Sequence, residues 1–322
     1  MVLITVAGKL NDATFQQCKK AAEHLQSVEP GFKANIISFL PLDYDLFLTG
    51  ILPAFPEIHR HNGNVLCYAG DPGTGAEYIG AMAKFLKWAK DTYAYVDGTH
   101  KIFYERLAKK HMRGVMDKAG REYCTLEIGV DGVAEGTLLV ELFTDLAPKT
   151  CANFKAFVEG HPTIAGRYRG CPVHRIVQDG WIQTGDVVNG SGKGGVSIYG
   201  RTFADETFQV KHDKPGILAM ANSGPHTNAS QFYITAAPLE FLNGSKVGFG
   251  RCIDGLRTLK VINRAEVDVC ERPVKNITIL SCAMYTLELP EDTKGPKKAT
   301  ETFDTETEAS AAKKTDKALA EE

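Results

Sequence analysis

Two rhythms of apolar and polar residues divide this chain. The first 95 residues mix short unbroken apolar runs with helical periods, as a small α/β unit does. "VLITVA" suits a buried strand. In the "NDATFQQCKKAAEHLQ" that follows, Phe15, Cys18, Ala22 and Leu25 fall on one helical face, and Asn11 or Asp12 stands where an N-cap belongs. "ANIISFLP" and "VLCYAG" give two further strands. Ile79, Met82, Leu86, Ala89 and Tyr93 then predict a long helix with lysines on its far side. Residues 41–64 are rich in proline and aromatics and show no clear period. Residues 96–121 are heavily charged, and Ile102, Leu107 and Met112 predict a linker helix.

From residue 122 the rhythm becomes alternation. "CTLEIGVDGVAEGTLLVELF" alternates around Asp131-Gly132, a hairpin signal. Pro148 sits like a first-turn proline, Cys151, Phe154 and Val158 share one helical face, and Gly160 marks the exit. "GILAMA", "SQFYITA", "VGFGRCI" and "KNITILSCAMY" read as short strands, and "LRTLKVIN" as a second helix burying Leu256, Leu259 and Ile262. Many strands with glycine-rich turns and two isolated helices imply a β-barrel or sandwich with helical caps. The tail, 288–322, holds almost no large apolar residue and cannot bury enough surface to fold alone. The expected organisation is an α/β domain (1–95), a linker helix (96–121), a mainly β domain (122–287) and a polar low-complexity tail (288–322).

Composition narrows the function. The chain has 322 residues and a net charge of −2, so no global basic field points to nucleic acid. No apolar run approaches a membrane span, and "MVLITVAGKLND" lacks the pattern of a signal peptide. The N-x-S/T triplets at Asn189, Asn228, Asn243 and Asn276 are then chance matches. Eight cysteines form no C-x-x-C and no zinc spacing; most sit in apolar runs, as reduced core thiols of a cytoplasmic protein do.

The N-terminal order of elements resembles a thioredoxin or glutaredoxin fold. That family's redox loop would fall at "AGKLNDATF", which holds no cysteine, so thiol exchange is disfavoured and a docking or binding module is expected. The sequence does not establish Pro56 as that fold's cis-proline.

The segment from 122 resembles a cyclophilin, a prolyl peptide isomerase. The resemblance covers about half of the chain and rests on "ELFTDLAPKTCANF", "HRIVQDGWIQTGD", "SIYGRTFADETF", "KPGILAMANSGPHTNASQFYIT" and "VGFGRCIDG", in the family's order. It implies a closed eight-stranded antiparallel barrel with a helix over each mouth. It also implies rotation about X-Pro amides of a proline-containing peptide or protein client, with no cofactor, metal or nucleophile. Carried over by position, Arg175 matches the catalytic arginine and Gln183 the glutamine that orients substrate. Ala221 and Asn222 match the edge that bonds the peptide, Gln231 a polar groove residue and Leu242 a wall of the proline pocket. Ser191–Gly195 matches a glycine-rich loop beside the groove.

Five positions depart from the family. Gly180 stands for a pocket phenylalanine, Trp181 for a methionine, Tyr233 for a second phenylalanine, Phe241 for a tryptophan and Lys246 for a histidine. Tyr233 and Phe241 keep an aromatic body, though Phe241 implies weaker binding of cyclosporin-type inhibitors. An absent ring at 180 removes roughly 50 Å² of wall, about 1–1.5 kcal/mol, roughly tenfold in rate. Trp181 either refills the space or plugs it; the sequence leaves both open. Without the resemblance, Arg175 would read as a surface ion-pair partner, His174 as a core histidine satisfied by hydrogen bonds and Met220 as packing.

The "DGW" before "IQ" (Asp179–Gln183), combined with a strand-helix N-terminal extension, resembles the peptidyl-prolyl isomerase-like 6 subgroup of the family, which is associated with ciliated cells. Two functions follow as expectations: an isomerase of reduced or altered activity, or a non-catalytic interaction protein of a flagellar or ciliary assembly, with microtubule or axonemal proteins as partners.

Overall fold

The computed structural model describes residues 2–288, apart from 56–60 and 74. Pro56 and the tail beyond 288 therefore lie outside the described residues. The described chain forms one compact unit.

Its N-terminal part is a four-stranded sheet in the order β2-β1-β3-β4. The strands are β1 (Val2–Lys9), β2 (Phe32–Phe39), β3 (Val65–Ala69) and β4 (Glu77–Gly80). β1 runs parallel to β2, while β3 is antiparallel to β1 and to β4. Helix α1 (Ala13–Val28) starts at Asp12, whose carboxylate accepts the Thr14 N–H at 2.8 Å. It buries Phe15, Cys18, Ala22 and Leu25 against the sheet, as the periodicity predicts.

Three sequence expectations need correction here. Ile79 belongs to β4, and helix α3 (Met82–Tyr93) begins only after Gly80, whose φ of +126° ends the strand. Residues 41–51, which show no period, form helix α2 (Pro41–Ile51). They lack a simple amphipathic stripe because α2 is buried on more than one side: Leu42 enters the core of the C-terminal part, and Tyr44 bonds Gly63 O at 3.3 Å. In α4 (Lys101–Ala119) the buried stripe is Tyr104, Ala108, Met112 and Met116; Ile102 is 50% exposed. A spacing of four, kept from Tyr104 to Met116, turns that stripe toward α1 and toward Tyr123 and Ile253.

The remainder is an eight-stranded antiparallel curled sheet, ordered β12-β5-β6-β11-β9-β10-β8-β7. It comprises β5 (Glu122–Val130), β6 (Val133–Leu142), β7 (Arg175–Val177), β8 (Trp181–Thr184), β9 (Ile217–Met220), β10 (Phe232–Thr235), β11 (Gly248–Asp254) and β12 (Ile277–Met284). β5 and β6 meet at Asp131-Gly132, both with positive φ (51° and 82°), as a two-residue hairpin requires. At the sheet's far edges, Val173 N–H donates to Ile277 O at 2.8 Å and Ile279 N–H to Cys171 O at 3.0 Å. Helices α5 (Pro148–Glu159) and α6 (Leu256–Asn263) cover the core with Cys151, Phe154 and Phe157, and with Leu256, Leu259 and Ile262.

Candidate active site

Strand alternation sorts the site from the core. β7, β8 and β10 are neighbours, with Arg175 opposite Gln183 and Gln183 opposite Tyr233. Because successive side chains point to opposite faces, Ile176, Ile182, Phe232 and Ile234 enter the core. Arg175, Trp181, Gln183 and Tyr233 share the other face.

The Arg175 guanidinium lies 5.3 Å from the centre of the Trp181 ring, and the Trp181 and Tyr233 rings are 5.9 Å apart. The indole therefore neighbours both the cation and the tyrosine ring. Gly180 is buried; its carbonyl accepts the Ala236 N–H at 2.7 Å, and a Cβ placed there would meet Val177 Cγ1 at 3.0 Å. Position 180 faces Val177, while the next residue supplies a ring on the groove face.

The cation is not alone. Arg175 Nε donates to Glu271 Oε2 at 2.6 Å, with the two side chains 43% and 42% exposed. Its two terminal nitrogens have no hydrogen-bond partner among the described residues. Gln183 Nε2 donates to Gln231 Oε1 at 3.0 Å, and Gln231 Nε2 donates to Gly192 O and Gly194 O at 3.0 and 2.7 Å. Gln183 thus points to the glycine-rich loop and makes no bond to Arg175.

That loop is wound around Asp186. Its carboxylate accepts N–H bonds from Val188, Asn189, Gly192 and Gly194, at 2.8–3.3 Å. Burial opposes its charge, but these four N–H groups hold its pKa below the ordinary carboxylate value. Gly192, at φ +84°, leaves room for His174; a Cβ there would lie 2.5 Å from the imidazole. His174 is a buried core histidine whose ring nitrogens make no well-formed hydrogen bond among the described residues, with the Gln231 side chain and the Pro172 backbone nearby. Burial lowers its pKa, more than Asp186 nearby raises it.

On the other side, Tyr233 is 3% exposed and its hydroxyl meets His212 Nε2 at 2.8 Å. Lys246 Nζ donates to Asn222 O at 3.1 Å and Asn222 Oδ1 at 2.5 Å. Ala221 N–H is taken by Gln231 O at 3.0 Å. The peptide-binding edge expected at Ala221 and Asn222 is therefore partly occupied by the chain's own groups. Leu242 is half-buried; Phe241 is 71% exposed and pairs with no other ring among the described residues. Met220 is fully buried in the core.

Sequence reasoning missed Glu271, His212 and Asp186 as members of the site. Asp186 lay within a matched string and Glu271 two residues before Pro273, but each acts through contacts that local pattern does not encode. Two recesses among the described residues lie elsewhere. One of about 470 Å³ is lined by Arg113, Tyr123, Lys155 and Tyr285; one of about 340 Å³ is lined by Asp45, Arg257 and Arg264.

Comparison with known proteins adds lineage. Residues 125–284 match the family described as cyclophilin type peptidyl-prolyl cis-trans isomerase. A Bos taurus protein named "Probable inactive peptidyl-prolyl cis-trans isomerase-like 6" is 33% identical over 286 residues, spanning 86% of this chain and 91% of that protein. "Peptidyl-prolyl cis-trans isomerase cyp11" of Rhizopus delemar is 42% identical over 170 residues, 51% of this chain and 50% of its own. The crystal structure of a Cryptosporidium parvum cyclophilin type isomerase is 36% identical, with a TM-score of 0.47, covering 52% of this chain and 98% of that one.

Proposed function

The chain belongs to the cyclophilin-type peptidyl-prolyl cis-trans isomerase family, and from that premise we propose that residues 122–287 bind X-Pro segments and turn the amide at a reduced rate. The observation that carries this is the Arg175 guanidinium, seated on Trp181 with both terminal nitrogens unpartnered among the described residues.

The reaction breaks no bond. An X-Pro amide resists rotation by roughly 18–20 kcal/mol because nitrogen shares its lone pair with the carbonyl. When the amide twists, the nitrogen turns pyramidal and accepts a hydrogen bond. A guanidinium that does not titrate donates to it. Trp181, Tyr233 and Leu242 hold the pyrrolidine ring, Gln183 and Gln231 line the polar side, and Ala221 and Asn222 receive the preceding peptide. Phe241 forms the exposed rim. Lys246 on Asn222 and Glu271 on Arg175 both work against substrate, which is why the rate is low.

The N-terminal 1–95 unit belongs to this proposal as a thioredoxin-like docking domain. Its β2-β1-β3-β4 order supports that reading, and α1 begins without a cysteine in its first turn. Residues 96–121 serve as the linker helix, and 122–287 as a closed barrel.

The test uses the full chain. Exchange NMR on a proline-containing tetrapeptide should give an isomerisation rate above buffer that is lost in Arg175→Ala. A wild-type rate equal to buffer refutes catalysis. A second reading, a non-catalytic interaction protein with microtubule or axonemal partners, draws on the occupied Asn222 edge, the Glu271 pair and the printed name of the full-length relatives. Buffer-level rates together with co-sedimentation on microtubules would favour it.

A further inference from the structure

We propose that Glu271 restrains the isomerase: it is the residue that sets how much of the Arg175 charge a substrate feels. The inference rests on Arg175 acting as the donor in the reading above.

Glu271 sits in a loop built to hold it. Asp268 organises the turn, accepting N–H bonds from Cys270 at 2.8 Å and Arg272 at 2.9 Å on Oδ1 and from Glu271 at 3.0 Å on its carbonyl. Val267 and Pro273 bridge across the base. Glu271 O in turn accepts the Ile176 N–H at 2.8 Å, so the loop is stitched to β7 one residue beyond Arg175. The next side chain, Arg272, donates to Ser191 O at 2.8 Å on the glycine-rich loop. Two successive residues thus grip the guanidinium and the loop beside the groove.

The backbone at Glu271 has φ +62°, the left-handed region that a residue with a Cβ enters at a cost. A glycine would relieve that cost but supply no carboxylate. The strain is held by the surrounding bonds and delivers an anion 2.6 Å from Arg175 Nε.

The effect on catalysis follows from electrostatics. A guanidinium stabilises the twisted amide through its positive potential. A carboxylate against Nε turns that monopole into a dipole while leaving the terminal N–H groups in place. Trp181 already locates the cation, so removing Glu271 costs little in positioning. Both charges are near half-exposed, so water screens the pair and its effect is bounded. We expect a two- to fivefold change, far from the loss caused by removing the arginine.

The experiment measures kcat/KM by exchange NMR for the full-length wild type, Glu271→Gln and Glu271→Gly, each at low and high NaCl. Glu271→Gln keeps the shape, and Glu271→Gly relieves the backbone, so a folding failure in one does not silence the test. The restraint predicts that both variants run about two- to fivefold faster than wild type at low salt. It also predicts that wild type accelerates as salt screens the pair, while the variants stay flat. A role confined to loop folding would not produce that salt difference. Variants equal to or slower than an active, Arg175-dependent wild type overturn the restraint and leave the isomerase reading standing. Buffer-level rates in wild type and both variants overturn the two together. A silent wild type with active variants supports the restraint and refutes turnover by the wild-type chain.

Discussion

Trp181 decides whether the groove has a wall. If the indole replaces the ring missing at Gly180, then Trp181→Ala must slow the reaction; if it plugs the groove, the same change must speed it. The geometry favours a wall. Trp181 shares the face of Gln183 and Arg175, is half-buried, and stands 5.9 Å from Tyr233. A pyrrolidine lying on about 50 Å² of indole gains about 1.2 kcal/mol at roughly 25 cal/mol per Å². The stacked guanidinium, 5.3 Å from the ring centre, loses a further contribution of about 0.5–1 kcal/mol for a solvent-accessible cation–π pair. Together these give about 2 kcal/mol, roughly thirtyfold in kcat/KM. Exchange NMR on a proline tetrapeptide reads the rate. Binding has its own reporter, because the chain holds only two tryptophans. Trp88 packs with Phe85 in the N-terminal core, so Trp88→Phe leaves Trp181 fluorescence to follow peptide titration. A rate in Trp181→Ala equal to or above wild type would refute the argument, as would an indole spectrum unmoved by saturating peptide.

Three further outcomes follow from the same contacts. Tyr233→Phe leaves buried His212 Nε2 without its 2.8 Å partner and should lower stability by about 1–3 kcal/mol in urea titration; an unchanged midpoint would contradict the bond. Asp186→Ala frees four N–H groups and should unfold the glycine-rich loop, seen as fast amide exchange at Gly192 and Gly194. Its wild-type pKa is depressed, so the stability it gives is complete above the unfolded value of about 3.9 and is lost as pH falls through the lower folded value; the variant should show less acid sensitivity over that window. Leu42→Ala empties a site in the C-terminal core that α2 fills and should cost about 2–5 kcal/mol, with scanning calorimetry showing both parts of the chain weakened rather than the N-terminal part alone.

Much of the fold was legible because its signals are local. Asp131-Gly132 specifies a hairpin by itself, Pro148 a helix start, and the 15-18-22-25 spacing a buried face. Helix α2 was illegible for the opposite reason. Its residues answer to two surroundings at once, with Leu42 in one core, Phe47 in another cluster, and Asp43 paired to Arg251 at 3.4 Å. A single period cannot describe a helix buried on several sides. Ile79 failed for a related reason: it continues the helical spacing of Met82 and Leu86, but Gly80 breaks the backbone between them.

At the site, the residue types were legible and their balance was not. Matched strings placed Arg175, Gln183, Gln231 and Tyr233, and alternation brings all but Gln231 onto one face by strand register. Gln231 joins them through its bond to Gln183. They also marked Gly180 as the main loss, and the adjacent indole lies on the same face as Arg175, Gln183 and Tyr233. The larger departure is Glu271, 96 residues from Arg175 in sequence and joined to it only by the folded loop. The two effects differ in size. A wall contributing about 2 kcal/mol outweighs a screened ion pair of about 0.5–1 kcal/mol. Turnover should therefore rank Trp181→Ala below wild type and wild type below Glu271→Gln, with the first step the larger. Were the second step larger, charge rather than apolar contact would control this groove, and the reduced rate proposed above would trace to the loop at 266–274 instead of to the pocket.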